Sequence, residues 1–308
     1  MNIKIKFAAV LIVCLLNFRA AYAFAFDDNT RISEVINNSL FGSYGRLIFP
    51  LDKSYYSGDI LGNLHLTWYS NIKTARTVEV INYMLSQVQR GGRIFYPIYP
   101  ENDPRSRDTG VFFFKGRPGN KFAICCAGGG FAFVGAIHDS FPHALELSKK
   151  GYNAFALIYR PGADTACEDL ARAIAFIHEN ASELEVDVNN YSLWGGSAGA
   201  RMAAWLGSYG PEYFGEKKYS RPSAVIMQYT GLSEVNGNEP PTYNCVGTND
   251  GIASYQTMQS RISRMKANGT DAEIEIFEGL SHGFGLGEGT VAEGWVDNAI
   301  AFWERQMK

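Results

Sequence analysis

From about residue 93 onward, short apolar runs alternate with segments whose apolar residues recur at helical spacing. Residues 121–127, 153–159, 191–194, 224–229, 243–247 and 273–278 read as strands. The segments 140–150, 164–183, 198–206, 253–268 and 291–306 read as helices. Ser140-Phe141-Pro142 can cap and start the first of these, and Leu170, Ile174 and Ile177 give the second its helical stripe. Ahead of them, 93–99 and 111–115 form a pair of strands joined by a polar turn at 101–108. Regular strand–helix alternation predicts an α/β domain with a mostly parallel central sheet and helices on both faces, the leading pair adding antiparallel strands at one edge. In such a sheet ligands bind beyond the C-terminal ends of the strands, so the strand-to-helix loops form the functional rim.

Residues 24–92 have a different pattern: a short helical stretch at 32–40, a Gly/Tyr-rich stretch containing Arg46, Tyr55 and Tyr56, and a longer helix at 74–89. No Pro/Ser/Gly linker separates them from the α/β region at 93–308, so they are expected as an extension packed on that main domain. Tyr55, Tyr56, Trp68 and Tyr69 are expected chiefly in its core, with an aromatic rim to the site as the alternative. Residues 1–23 carry Lys4 and Lys6, an apolar run, and Ala21-Tyr22-Ala23, the pattern of a removable secretory signal peptide. The run is too short to span a bilayer, and no later stretch offers an anchor. The mature chain is therefore expected to be exported and without a stable membrane anchor.

The composition is globular, with 46% hydrophobic and 19% charged residues. The formal net charge is −3, and it becomes more negative without the leader, which holds Lys4, Lys6, Arg19 and no acidic residue. An acidic chain with no Lys/Arg run argues against nucleic acid as a partner. Cys125, Cys126, Cys167 and Cys245 lack metal-type spacing and are expected as structural thiols, the first two on opposite faces of one strand. Phosphate-loop, His-Glu-x-x-His and dinucleotide fingerprints are missing, and neither a cofactor nor a metal is expected.

The chemistry concentrates in a few strand-to-helix loops. Gly195-Gly196-Ser197-Ala198-Gly199 follows a strand and opens a helix, the setting of a nucleophile elbow, where the turn pushes a serine above the sheet. The Ala198 amide would face a developing oxyanion. Ala127-Gly128-Gly129-Gly130-Phe131 follows an earlier strand, and the bare backbone of Gly129 and Gly130 could supply further donors. His282 sits in a Gly-flanked loop after the last strand and is the candidate general base. Asp250 in Thr248-Asn249-Asp250-Gly251 ends the preceding strand and is the candidate acid, ahead of Glu278 and Asp271. His138 is a possible cleft residue, while His143, His65 and His178 read as structural.

On these motifs, in this order, the chain resembles the α/β-hydrolase superfamily over about residues 93–306. Within it, the resemblance is to secreted bacterial carboxylesterases akin to carbohydrate esterases and to hormone-sensitive-lipase-like enzymes. The lipase-like branch has His where Ala127 stands and Asp where Gly196 stands, which moves the resemblance toward the carbohydrate-esterase-like members. The resemblance implies a serine hydrolase acting on small-molecule or glycan esters through Ser197, His282 and Asp250. A peptidase or acyltransferase on the same scaffold, or a non-catalytic binding protein, are the alternatives. Only a dozen or so residues separate the strands 224–229 and 243–247, which leaves no room for an inserted cap there.

Overall fold

A computed structural model describes residues 25–307; the leader assigned to 1–23 lies outside the described residues. Eight strands form one sheet: β3 (Phe95–Tyr96), β4 (Gly110–Phe114), β5 (Lys121–Cys126), β6 (Asn153–Ile158), β7 (Asp187–Gly196), β8 (Ala224–Gln228), β9 (Thr242–Gly247) and β10 (Ala272–Phe277). Their order is β10-β9-β8-β7-β5-β6-β4-β3. All neighbours from β10 to β6 run parallel, and only β4 and β3 are antiparallel to what they pair with. A small hairpin of β1 (Tyr56–Ser57) and β2 (His65–Leu66) stands apart.

The helices are α1 (Ile32–Ile36), α2 (Thr74–Gln89), α3 (Ser140–Lys149), α4 (Ala163–Glu179), α5 (Ala181–Leu184), α6 (Ala198–Tyr209), α7 (Tyr255–Ala267) and α8 (Trp295–Gln306). Strand periodicity divides the core between two faces. Ala123, Cys125 and Trp194 face α3, α8 and the extension, while Ile124, Cys126 and Leu193 face α4 and α6. Cys125 and Cys126 thus point to opposite layers, and all four described cysteines are buried thiols without a bridge. Phe41, Leu47, Ile81 and Leu85 of the extension join the first of these core layers, where the Tyr44 ring meets Phe95 and Phe112 and the Tyr83 ring stacks on Phe114.

The differences from the expected elements have local causes. The last helix begins at Trp295 rather than residue 291, because Gly294 sits at φ +91 and closes off helical continuation toward the N-terminus. The single helix expected over 164–183 is interrupted at Asn180, whose φ and ψ of −113 and 18 leave the helical region. The helical stretch expected at 32–40 stops at Ile36, where Asn37 and Asn38 turn the chain. Among the described residues no helix is long and apolar enough to cross a membrane.

Candidate active site

Sheet order explains why distant loops meet. β5 and β7 are direct neighbours, with Cys126 opposite Gly195, so the loop after β5 and the turn after β7 emerge side by side. This is also where the strand order reverses, the place at which an open parallel sheet leaves a crevice. Ser197 occupies the turn with φ 52 and ψ −115, a strained backbone that lifts its hydroxyl clear of the strand. The flanking glycines are a steric requirement: a Cβ on Gly195 would lie 2.3 Å from the Gly199 backbone, and one on Gly199 would lie 2.0 Å from the Cys126 carbonyl oxygen.

β9 and β10 lie two and three strands away from β7, so their loops must lean back toward Ser197. They do so as a unit. The Thr248 and Asn249 N–H groups donate to the carbonyls of Phe277 and Leu280, at 2.9 and 3.1 Å. The exit of β8 carries the loop the rest of the way: the Gln228 side-chain amide donates to the Gly285 carbonyl at 2.6 Å, and the Tyr229 ring lies 4.8 Å from the His282 ring. From the extension, the Ser70 hydroxyl donates to the His282 carbonyl at 2.6 Å and the Ser70 N–H to the Gly283 carbonyl at 2.9 Å.

His282 is thereby placed with Nε2 at 3.1 Å from the Ser197 hydroxyl oxygen and Nδ1 at 2.7 Å from Asp250 Oδ2. A carboxylate can only accept, so Nδ1 carries the proton and Nε2 presents a lone pair to the serine. The Asp250 side chain is fully buried, and its other oxygen accepts from the N–H groups of Ile252 and Ala253 at 2.8 and 2.7 Å. Its two oxygens therefore have fixed, different tasks. Asp250, not Glu278 or Asp271, is the carboxylate on His282 Nδ1; the Asp271 carboxylate accepts from the Gln306 side chain instead.

Opposite the serine, the loop after β5 winds through Gly129 at φ +131, Gly130 at φ +62 and Phe131 at φ +59. The Gly128 N–H turns inward to Asp139. Neither Gly129 nor Gly130 gives its N–H to a backbone or side-chain acceptor among the described residues, and Ala198 opens α6, where the first N–H groups have no intrahelical partner. The Ser197 N–H is engaged by the Gln228 carbonyl at 2.9 Å and is not part of this set. The Gly129 and Gly130 amides and the first amide of α6 are therefore available as donors.

The rim residues divide. Trp68 is 46% exposed with φ 70, and its ring stacks on Phe133 at 5.7 Å and covers Gly130. Tyr55 is half-buried and stacks on the same Phe133 at 4.4 Å, and Tyr56 is half-buried against Phe49. Tyr69 is buried, its hydroxyl given to Asp139, so it does not reach the cleft surface. His138 also needs correcting as a cleft residue: it is 2% exposed behind the Tyr69 ring, and burial pushes its imidazole down to about 3. Sequence reasoning missed Asp139, Tyr229 and Ser70. Asp139 was hidden by its position just before a helix, where an acidic residue reads as a cap.

A sequence-family profile described as BD-FAE matches residues 115–230, the part that holds the glycine loop and Ser197. Among curated proteins, the chain is 29% identical over 193 residues to Endo-1,4-beta-xylanase B of Butyrivibrio fibrisolvens, covering 58% of this chain and 25% of that protein. It is 20% identical over 217 residues to an acetylxylan esterase of Xylanibacter ruminicola, covering 58% of this chain and 44% of that protein. The chain therefore spans less than half the length of the curated relatives it matches. Among solved structures, esterase 2 of Thermogutta terrifontis with propionate bound superposes with a TM-score of 0.59 at 21% identity, over 68% of this chain and 93% of that one. MGS-M1, an α/β hydrolase from a Medee basin deep-sea metagenome library, gives a TM-score of 0.58 at 19% identity, over 69% and 96%. The fold is that of the α/β-hydrolases.

Proposed function

We propose that the protein is an exported serine carboxylesterase that removes acetyl or other short acyl groups from carbohydrates. The observation that carries this reading is the continuous hydrogen-bonded chain from the Ser197 hydroxyl through His282 to Asp250, at the C-terminal rim and beside the glycine loop. Ser197 Oγ attacks the ester carbonyl carbon while His282 Nε2 takes its proton. The charged oxygen is held by the Gly129, Gly130 and Ala198 amides, each such donor contributing about 3 kcal/mol to the transition state in a dry site. The carbonyl–alkoxy bond breaks, His282 returns the proton to the departing alcohol oxygen, and water repeats the sequence on the acyl-enzyme. Asp250 holds the imidazole in the required tautomer and balances its charge. The acetylxylan esterase among the relatives supports a glycan ester as substrate, and the leader pattern at 1–23 supports export.

Labelling with a fluorophosphonate followed by peptide mapping is expected to place the adduct on Ser197. An unlabelled Ser197 in the folded protein excludes the reading. Hydrolysis of a peptide amide faster than of the matching ester would favour the peptidase alternative.

Trp68 is the exposed ring best placed to meet a sugar. It lies over Gly130, one of the proposed oxyanion donors, and presents a flat apolar surface of the sort that stacks on the C–H face of a pyranose. Trp68→Ala is expected to raise KM for acetylated xylo-oligosaccharides about 3- to 10-fold, the worth of one such contact, and to leave p-nitrophenyl acetate hydrolysis within about twofold. Equal losses on both substrates would assign Trp68 to packing alone.

A further inference from the structure

Asp139 immediately precedes α3 and has no part in the chemistry above, yet it is 1% exposed and its carboxylate is fully engaged. Oδ2 accepts from the Gly128 N–H at 2.6 Å and from the Tyr69 hydroxyl at 3.1 Å, and Oδ1 accepts from the Tyr229 hydroxyl at 2.9 Å. Burial, together with the neighbouring Asp139, pushes both phenols well above their ordinary range, so both stay protonated and donate. A Cβ on Gly196 would stand 2.5 Å from one carboxylate oxygen and 2.6 Å from the other, so Asp139 also fills the space beside the residue before Ser197. One carboxylate thus touches the glycine loop, the extension, the exit of β8 and the elbow.

Those four contacts converge on the parts of the site that must not move. Gly128 is packed against the nucleophile, with its notional Cβ 2.9 Å from the Ser197 Cβ. Its N–H points inward to a carboxylate, and the next two peptides, at φ +131 and +62, leave theirs unpartnered. A short bond from a backbone N–H to a carboxylate is among the stronger hydrogen bonds available. A Gly-Gly-Gly segment has no side chain of its own to fix its direction. Its Gly128 and Gly129 carbonyls accept from the N–H groups of Gly135, Ala132 and Phe133. Of its three N–H groups, the one given to a partner among the described residues is that of Gly128, to Asp139. On the other flank, the Tyr229 ring that gives its hydroxyl to Asp139 is the ring on which His282 rests.

We propose that Asp139 is a positioning residue for the reaction at Ser197. It holds the Gly128 N–H from within, which fixes the direction in which Gly129 and Gly130 present theirs to the oxyanion, and it seats His282 through Tyr229. The proposal rests on the esterase reading of the site.

The decisive variant is Asp139→Asn, which keeps the shape and one acceptor but removes the charge. Its kcat for p-nitrophenyl acetate is expected to fall about 10- to 100-fold, below the loss of a whole donor, because the amides stay present but are misdirected. KM is expected to stay within about twofold. Affinity for an alkyl boronic acid, whose tetrahedral adduct places an oxygen in the same hole, is expected to fall by a factor similar to kcat. A purely structural carboxylate would lower the melting temperature without this matched loss. A folded Asp139→Asn enzyme with wild-type kcat, with a loss confined to KM, or with undiminished boronate affinity overturns the proposal. Should that variant fail to fold, Tyr69→Phe and Tyr229→Phe each remove one donor and keep the ring. Both are expected to show a several-fold kcat loss at unchanged KM, and wild-type kcat in both overturns it. A wild type inert to esters and fluorophosphonate removes the esterase reading itself, whereas an active wild type beside an equally active Asp139→Asn removes only the role of Asp139.

Discussion

Ser197→Ala is expected to lower kcat for p-nitrophenyl acetate by about 10⁵-fold while the protein folds and melts as the wild type does. The substitution removes one oxygen atom. Alanine meets the same backbone strain at φ 52 that serine already bears, and the Ser197 N–H keeps its bond to the Gln228 carbonyl. The loss is therefore chemical: with Oγ gone, no covalent acyl-enzyme can form at this turn. Residual turnover should persist above the uncatalysed rate, because the unpartnered amides and His282 can still act on a bound ester through water. Steady-state kinetics, with fluorophosphonate labelling abolished in the same variant, checks the result. Undiminished hydrolysis by Ser197→Ala would remove the nucleophile and with it the proposed mechanism.

The second large effect concerns Asp250→Asn, with an expected kcat loss of about 10⁴-fold at neutral pH and little change in KM or folding. The local geometry sets the sign. Asp250 Oδ1 is held by the N–H groups of Ile252 and Ala253 at 2.8 and 2.7 Å, contacts that only an oxygen can keep. An asparagine here must place its carbonyl at that position, which turns its amide nitrogen toward His282 Nδ1. Nδ1 must then accept, the proton moves to Nε2, and the imidazole can no longer receive the serine proton. The backbone contacts survive, so the loop should stay folded and the melting temperature should change little. Wild-type kcat in Asp250→Asn would show that His282 does not depend on this partner.

Much of this arrangement was legible in the chain. Apolar runs alternating with helical stripes indicated the parallel sheet, since strands buried on both faces have no reason to alternate with polar residues. The elbow was readable because Gly195 and Gly199 are sterically required at fixed offsets from Ser197, and a steric requirement leaves a local signature. His282 and Asp250 stood out because each lies in a short loop directly after a strand. The extension was the least legible part. Its aromatic residues read chiefly as core, yet packing put Tyr69 inside and Trp68 outside although they are adjacent. Ser70 gave no signal at all, because a lone serine acquires its role only from the carbonyl it meets 212 positions along the chain.

By itself the sequence determined which elements form and which loops lie at the C-terminal ends of the strands, since both depend on spacing within short windows. Only the tertiary structure decided how those loops meet. The order β10-β9-β8-β7 separates the acid and base loops from the serine, and Gln228, Tyr229 and Ser70 bring the base loop back across that gap. It also decided that Asp139 is a buried hub rather than a helix cap, because the three donors on its carboxylate come from 11, 70 and 90 positions away. Periodicity reports on neighbours along a strand or a helical turn, whereas hydrogen bonds of such reach exist only once the sheet has ordered its strands.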